Sequence, residues 1–492
     1  MVSYLALMPK RTFAKGFLAS SLAVGISRIL GFFREILIAS LFGASYLTDA
    51  FFLAWKIPNL FRRVLGEGAL EKVLLPMLGK EIDKKFVENL LFFLTVSSLS
   101  LALLISFLSE WIVKFLTGTQ NEDFLENAET FLGIMAFYLP FAVINAFYSS
   151  LLQYKKAFFV SYFSSAVFNL TVILFTLFFY PLWGISSLVC GVILGGLLQV
   201  AFILPFAERE AVFFIPKVGF HPKLKKFLVN IVPSFFSAGV GQISTLAEAF
   251  FATLSGGGVL SHLNYAFRLF QLPISLIGVT SSRVSLSYLS GKSYSPDLRH
   301  LEFSLKKYLI KGGEIALFFA IPTMIGIVFY SKEAVSLVYE RGEFSPSDTS
   351  EVSLYLSLYS VGLIPSILYG LVSNIFYSKG KFYLSFFLSL LWVLVEITIP
   401  AVGIAIFNLG GWVIALAHSV GAWIVFFTLC GVSRSCGIFI RPLLRLKRFI
   451  PIWALTAFFL ALTEEVTDKL LTSAVILFTA LVYLFLFKRF YL

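Results

Sequence analysis

Apolar residues along this chain come in runs of about 20, the length a helix needs to cross the hydrocarbon of a bilayer. The runs lack the strict alternation over about 9–11 residues that a barrel strand would show. They fall at roughly 16–42, 46–78, 88–109, 130–154, 158–180, 184–206, 226–254, 259–289, 304–330, 350–378, 382–407, 411–433, 449–463 and 470–487. The pattern predicts an all-α integral membrane protein with about fourteen transmembrane helices. The second and eighth runs exceed what a straight helix needs at 1.5 Å per residue, so they must tilt, bend or project into water. Pro58, Gly66 and Gly68 offer bend points in the second, and Pro273 offers one in the eighth.

The polar connections alternate in charge. One set carries Lys10, Arg11 and Lys15, then Lys80, Lys84 and Lys85, then Lys155 and Lys156. It goes on with Arg209, Lys217, Lys223, Lys225 and Lys226, and with Lys292, Arg299, Lys306 and Lys307. Lys379 and Lys381, the cluster from Arg434 to Arg448, and Lys488 and Arg489 complete it. The other set holds only Lys114, Lys332, Arg341 and Lys469. Positive residues stay on the cytoplasmic side. Both termini are therefore expected there, which requires an even number of crossings. The segments 110–129 and 331–351 are the longest expected outer loops.

Composition agrees. Of 492 residues, 58% are hydrophobic and only 13% charged, and the mean hydropathy is +0.89. A soluble domain carries about 25% charged residues, so lipid must solvate much of this chain. The net charge of +12 reads as positive-inside topology, with no nucleic-acid partner implied. The three cysteines, Cys190, Cys430 and Cys436, lie in or beside apolar runs and imply no disulfide framework. The first run carries Arg28 and Arg34, unlike the apolar core of a cleavable signal.

The chain resembles itself at an offset of about 211 to 227 residues: Lys56-Ile57-Pro58 aligns with Gln271-Leu272-Pro273, and Tyr154-Lys155-Lys156 with Tyr377-Ser378-Lys379. This predicts two six-helix lobes, 1–220 and 221–440, in parallel orientation around a central cavity, as in parallel-repeat transporters. Residues 441–492 supply two further helices outside the repeat.

Charges inside the apolar layer are costly and face a cavity or a partner. Lys72, Arg283 and Lys311 sit near cytoplasmic ends, where they can snorkel. Arg28, Arg34, Arg62, Arg63 and Arg268 lie deeper, and Lys56 is also within a span. The first helix pair adds Glu35, Asp49, Glu67 and Glu71 to its four arginines. Interhelix ion pairs are one reading. An anion site formed by the remaining arginines is the other, and arginine favours phosphate, which it grips with a bidentate fork. Glu248 and Glu396 stand as isolated carboxylates in the seventh and eleventh spans, so each is either protonated or a candidate ligand for a monovalent cation. Gly191-Val192-Ile193-Leu194-Gly195 reads as a helix-packing motif. The four histidines are scattered, with no metal spacing and no catalytic grouping.

Several blocks together resemble the MviN/MurJ family of lipid II flippases, within the multidrug/oligosaccharidyl-lipid/polysaccharide exporter superfamily. They are Ser27-Arg28-Ile29-Leu30-Gly31-Phe32-Phe33-Arg34-Glu35, Phe42-Gly43-Ala44, Thr48-Asp49-Ala50-Phe51-Phe52, Pro58-Asn59-Leu60-Phe61-Arg62-Arg63 and Glu67-Gly68-Ala69. Gln242-Ile243, Tyr265-Ala266-Phe267-Arg268, Tyr339-Glu340-Arg341-Gly342-Glu343-Phe344 and Phe376-Tyr377-Ser378-Lys379 extend the likeness over nearly the whole chain.

The resemblance implies a transporter, not an enzyme. It would move the undecaprenyl-pyrophosphate-linked peptidoglycan precursor to the outer leaflet of the inner membrane by alternating access. It implies substrate-binding roles for Arg28, Arg34, Arg62, Arg63 and Arg268, and structural or gating roles for Glu35, Asp49 and Glu67. It places a cation site near Glu248 and Glu396 and a groove for the lipid tail at helices thirteen and fourteen. The expected partners are lipid II and membrane lipids, with the chain acting as a monomer near cell-wall synthesis enzymes. No cofactor is expected beyond a coupling Na+ or H+, or the membrane potential. The chain departs from the family pattern at Glu35 (usually Asp), Ser287 (usually Pro), and Gly380 with Tyr383-Leu384 (usually an Asp and a Thr-Pro). The alternatives are a flippase for another polyprenyl-linked glycan and a drug or cation exporter of the same superfamily. Five deep arginines oppose a cationic substrate.

Overall fold

The computed structural model describes residues 10–63, 70–79, 81–278, 298–378 and 382–433. The expected helices thirteen and fourteen, and Glu67, Arg283, Ser287 and Gly380, lie outside these residues. Among the described residues there is no strand, and helices follow one another along the chain. They are α1 Lys10–Phe42, α2 Tyr46–Phe61, α3 Leu70–Leu78, α4 Lys84–Phe107, α5 Ser109–Leu116, α6 Glu122–Met135, α7 Tyr138–Tyr154, α8 Phe158–Trp183 and α9 Ser186–Arg209. There follow α10 Pro222–Ser255, α11 Val259–Pro273, α12 Leu298–Tyr339, α13 Pro346–Val361, α14 Leu363–Ser378, α15 Phe382–Ala405 and α16 Trp412–Ser433.

Seven helical stretches among the described residues are long and apolar enough to cross a membrane: 84–107, 122–154, 158–183, 186–209, 310–339, 386–405 and 412–431. The pair α13 and α14 is apolar and long enough only when taken together, and it bends by 44° at its break, as a broken span or a re-entrant loop does. The described residues of the expected spans at 16–42, 46–78, 226–254 and 259–289 are also helical. Among the described residues they hold most of the buried charge, and α11 gives way at Pro273 to a wider turn over Ile274–Gly278. Proline removes a backbone donor there, as its place in the sequence predicts.

The outer loops differ from expectation. Segment 110–129 is mostly helical, because Asn121 caps α6 by accepting from the Phe124 amide at 2.8 Å, and Glu122 and Asp123 fill the first turn. Those acids favour a helix N-terminus, so polar residues extend the span instead of ending it. Segment 331–351 shrinks likewise: α12 continues past a kink at Tyr330 to Tyr339, and α13 starts at Pro346.

The chain forms two compact units. The first contains residues 1–261 with 341–345, and the second contains 262–340 with 346–492. In the first, α8 packs along α1 and α9. Gly191 and Gly195 face α8, where Cβ atoms would stand 3.6 Å and 2.9 Å from Phe175 and Phe168, so this motif brings two helices close. At one end, Leu74, Leu78, Phe86, Leu90, Phe147 and Leu151 pack with Phe214 and Phe227. The segment 341–345 lies against the end of α1: Glu343 N–H donates to Ser40 O at 2.9 Å. Gly43 and Gly342, at φ +58° and +60°, interlock there, and a Cβ on Gly43 would strike the Glu343 carbonyl and one on Gly342 the Ser40 carbonyl. In the second unit, α15 packs on α16, and α12 on α13 and α14.

Candidate functional site

α1 runs 33 residues, about 50 Å at the α-helical rise, long enough for its basic start to stand in water while Arg34 and Glu35, 24 and 25 residues further on, sit among apolar residues. Glu35 is 2% exposed, and its Oε1 accepts from Arg34 Nη2 at 2.7 Å. Arg34 Nη1 donates to Asn169 Oδ1 on α8 at 3.1 Å. The ion pair is thus formed within one helix, and the interhelix tie is a hydrogen bond to a neutral amide. Arg28, six residues earlier, is exposed and makes no hydrogen bond or ion pair among the described residues. At the C-cap of α2, Arg62 grips Asn59 Oδ1 with Nε at 3.1 Å and Nη2 at 2.9 Å. Arg63 follows it, half-buried and engaged by neighbours. Arg268 belongs to the second unit, half-buried on α11 and likewise engaged.

Asp49, in the first turn of α2, is 1% exposed. Its Oδ2 accepts from the Gly258 amide at 2.7 Å, and Oδ1 accepts from the Ser261 amide at 2.7 Å and the Ser261 hydroxyl at 2.5 Å. These donors sit at the start of α11, where unpaired amides and the helix dipole attract an anion. Asp49 therefore serves α11 as a cap contributed from a distant helix.

Glu248 is not isolated. Lys56, 8% exposed on α2, donates to Glu248 Oε1 at 3.2 Å and to Thr245 O at 3.2 Å. Glu396 is not isolated either: it accepts from Trp392 Nε1 at 3.0 Å and lies 2.6 Å from His418 Nδ1. Phe267, Phe270, Tyr359 and Trp392 surround the His418 ring at centroid distances of 5.3–5.6 Å. The two carboxylates belong to different units. Among the described residues no group of three or more His, Cys, Asp or Glu could hold a metal ion.

Outside the membrane, Asp83 caps α4 by accepting from the Phe86 amide at 3.2 Å. It also receives Lys223 Nζ at 3.1 Å and lies 3.3 Å from His221 Nε2, at the start of α10. The Lys223 hydrogen bond, then that of Phe86, holds its carboxyl below the usual aspartate range.

The sequence pattern missed Asn169, Lys56 as the partner of Glu248, and His418. Each is a polar side chain in an apolar span, which signals a partner without naming it.

The lipid II flippase MurJ family model matches residues 38–483. A probable lipid II flippase MurJ of Buchnera aphidicola subsp. Schizaphis graminum is 32% identical over 429 residues, which cover 84% of this chain and 82% of that protein. Its counterpart from Aquifex aeolicus is 29% identical over 95% of this chain and 92% of its own length. A solved lipid II flippase MurJ in an inward closed conformation superposes with a TM-score of 0.83 at 27% identity, covering 96% of this chain and 99% of that one. An inward-facing multidrug transporter of the MATE family shares the fold alone, at a TM-score of 0.61 and 15% identity. An all-helical membrane fold, arginines kept in the apolar layer and a family match over most of the length lead to one conclusion: the chain belongs to the lipid II flippase MurJ family.

Proposed function

We infer that this protein flips lipid II, the undecaprenyl-pyrophosphate-linked peptidoglycan precursor, from the cytoplasmic to the outer leaflet by alternating access. The family match over residues 38–483 carries this reading. The chemistry supports it: a pyrophosphate needs cationic, fork-shaped donors, and Arg28, Arg34, Arg62, Arg63 and Arg268 supply them. Arg28 is the exposed member; Arg34 and Arg62 are pre-positioned by Glu35, Asn169 and Asn59. Pre-positioning lowers the ordering cost when the anion arrives. Glu35, Asp49 and Glu67 take structural or gating roles.

The basic connections favour the inner membrane with both termini cytoplasmic. The protein acts as a monomer, near the enzymes that consume its product. The drive is the membrane potential or a monovalent cation at Glu248 or Glu396. A cation at Glu248 must compete with Lys56, and one at Glu396 with His418. Flipping rates in sodium and in potassium decide between these sources. Replacing Arg34 or Arg268 by alanine should abolish complementation of cells depleted of their own flippase, with insertion intact. Full complementation by both variants would refute the role of the arginines.

A further inference from the structure

Asn169 lies midway along α8, a span otherwise built mostly of aromatic and aliphatic residues, and is 8% exposed. A primary amide in that setting is stable only if its groups are bonded. Its Nδ2 donates to Ser27 O at 3.2 Å and to Ser165 O at 3.0 Å, and its Oδ1 accepts from Arg34 Nη1. Both N–H groups and the oxygen are therefore used. The orientation of the amide is fixed, because a flipped amide would turn donors toward the guanidinium.

The geometry follows from helix direction. Carbonyls point toward the C-terminus of a helix and side chains lean toward its N-terminus. Ser27 O and the Arg34 guanidinium thus converge near residue 31. Gly31 stands there, and even a Cβ would sit only 3.5 Å from Asn169 Nδ2. One side chain of α8 reads a backbone atom and a guanidinium of α1 together. With Glu35 on Nη2 and Asn169 on Nη1, both ends of the fork are held, while Nε is buried with no hydrogen-bond partner among the described residues.

We propose that Asn169 is a positioning residue for lipid II transport: it sets the plane of the Arg34 guanidinium so that its remaining N–H groups meet the pyrophosphate. The proposal rests on the reading of Arg34 as an anion-holding residue. Asn169 touches no substrate in this role. It acts through Arg34, and the neutral amide leaves the arginine's charge available where a second carboxylate would cancel it.

The test is flipping of lipid II by the full-length protein in phospholipid vesicles, measured against lipid II concentration. Asn169→Leu, of similar size, removes all three bonds. It should raise the half-saturation concentration about tenfold, the effect of one charged hydrogen bond, with the maximal rate changed less than twofold. Asn169→Asp keeps an oxygen for Arg34 but adds a carboxylate beside it, and should also raise half-saturation. In an Arg34→Lys background, Asn169→Leu should add less than twofold. If Asn169→Leu does not insert, Asn169→Ser, too short to reach Arg34, is read in its place. An unchanged half-saturation in Asn169→Leu, or the same tenfold rise in the Arg34→Lys background, overturns the proposal. If Arg34→Ala flips lipid II as the native protein does, the anion-holding reading of Arg34 fails first. If Arg34→Ala abolishes flipping and Asn169→Leu leaves half-saturation unchanged, only the role of Asn169 fails.

Discussion

Asp49→Asn is predicted to loosen the start of α11 by a large and calculable amount. The native carboxylate is 1% exposed and accepts three hydrogen bonds, from two amides and one hydroxyl. Asparagine keeps one oxygen, enough for the Ser261 pair, and turns an NH2 toward the Gly258 amide. One charged hydrogen bond worth about 1.5–3 kcal/mol is lost, and the buried Gly258 donor is left unsatisfied at a cost of about 1–3 kcal/mol. Loss of the negative charge at a helix N-terminus adds about 0.3–1 kcal/mol. The total of at least about 3 kcal/mol corresponds to at least about a hundredfold easier local opening. Hydrogen exchange of the peptide spanning residues 255–265, in detergent or nanodiscs, should speed up by that factor. Ser261→Ala removes only the hydroxyl bond to the carboxylate, about 1.5–3 kcal/mol, and should give about a ten- to hundredfold change, smaller than that of Asp49→Asn. Unchanged exchange in Asp49→Asn, or equal effects from the two variants, would refute the cap.

Two further predictions follow from ion pairs. Lys56→Met leaves Glu248 without its cation and should destabilise the purified protein by about 1–3 kcal/mol, less than for a fully buried pair because Glu248 is 26% exposed. The double variant Lys56→Met/Glu248→Gln should recover most of that loss in thermal unfolding, and a double variant worse than the single would show that the two residues are not coupled. Asp83→Asn should weaken the tie between the starts of α4 and α10 at neutral pH. The folded carboxyl titrates below its ordinary value, chiefly because of Lys223, so its contribution is complete above the ordinary aspartate range near pH 4 and is lost as pH falls through the lower folded value. Protease sensitivity of segment 210–223 should therefore rise in the variant at pH 7, and equal sensitivity of variant and native protein would contradict this.

The helices were legible because apolar run length is a local property, and every described span expected from it is occupied by helix. Helix ends were less legible. Glu122 and Asp123 look like loop residues by polarity, yet they suit the first turn that Asn121 caps. The arginines were visible as charges in apolar runs, whereas their partners were not. Lys56 and Glu248 lie 192 residues apart, and Arg34 and Asn169 lie 135 apart. Spacing along the chain carries no trace of such pairs. Asn169 and His418 were single polar residues in apolar spans, and the cost of burying them was the available signal. That same cost argued for an anion at the arginines, but the chemical identity of the anion came from the family.

The central claim is tested most directly by reconstituting the purified protein in vesicles with lipid II in the inner leaflet and following its arrival in the outer leaflet. Native protein should flip lipid II, and excess pyrophosphate-bearing lipid should compete, while Arg34→Ala and Arg268→Ala should each reduce the rate to that of protein-free vesicles. A native rate equal to that of protein-free vesicles, or arginine variants as active as the native protein, would contradict the account.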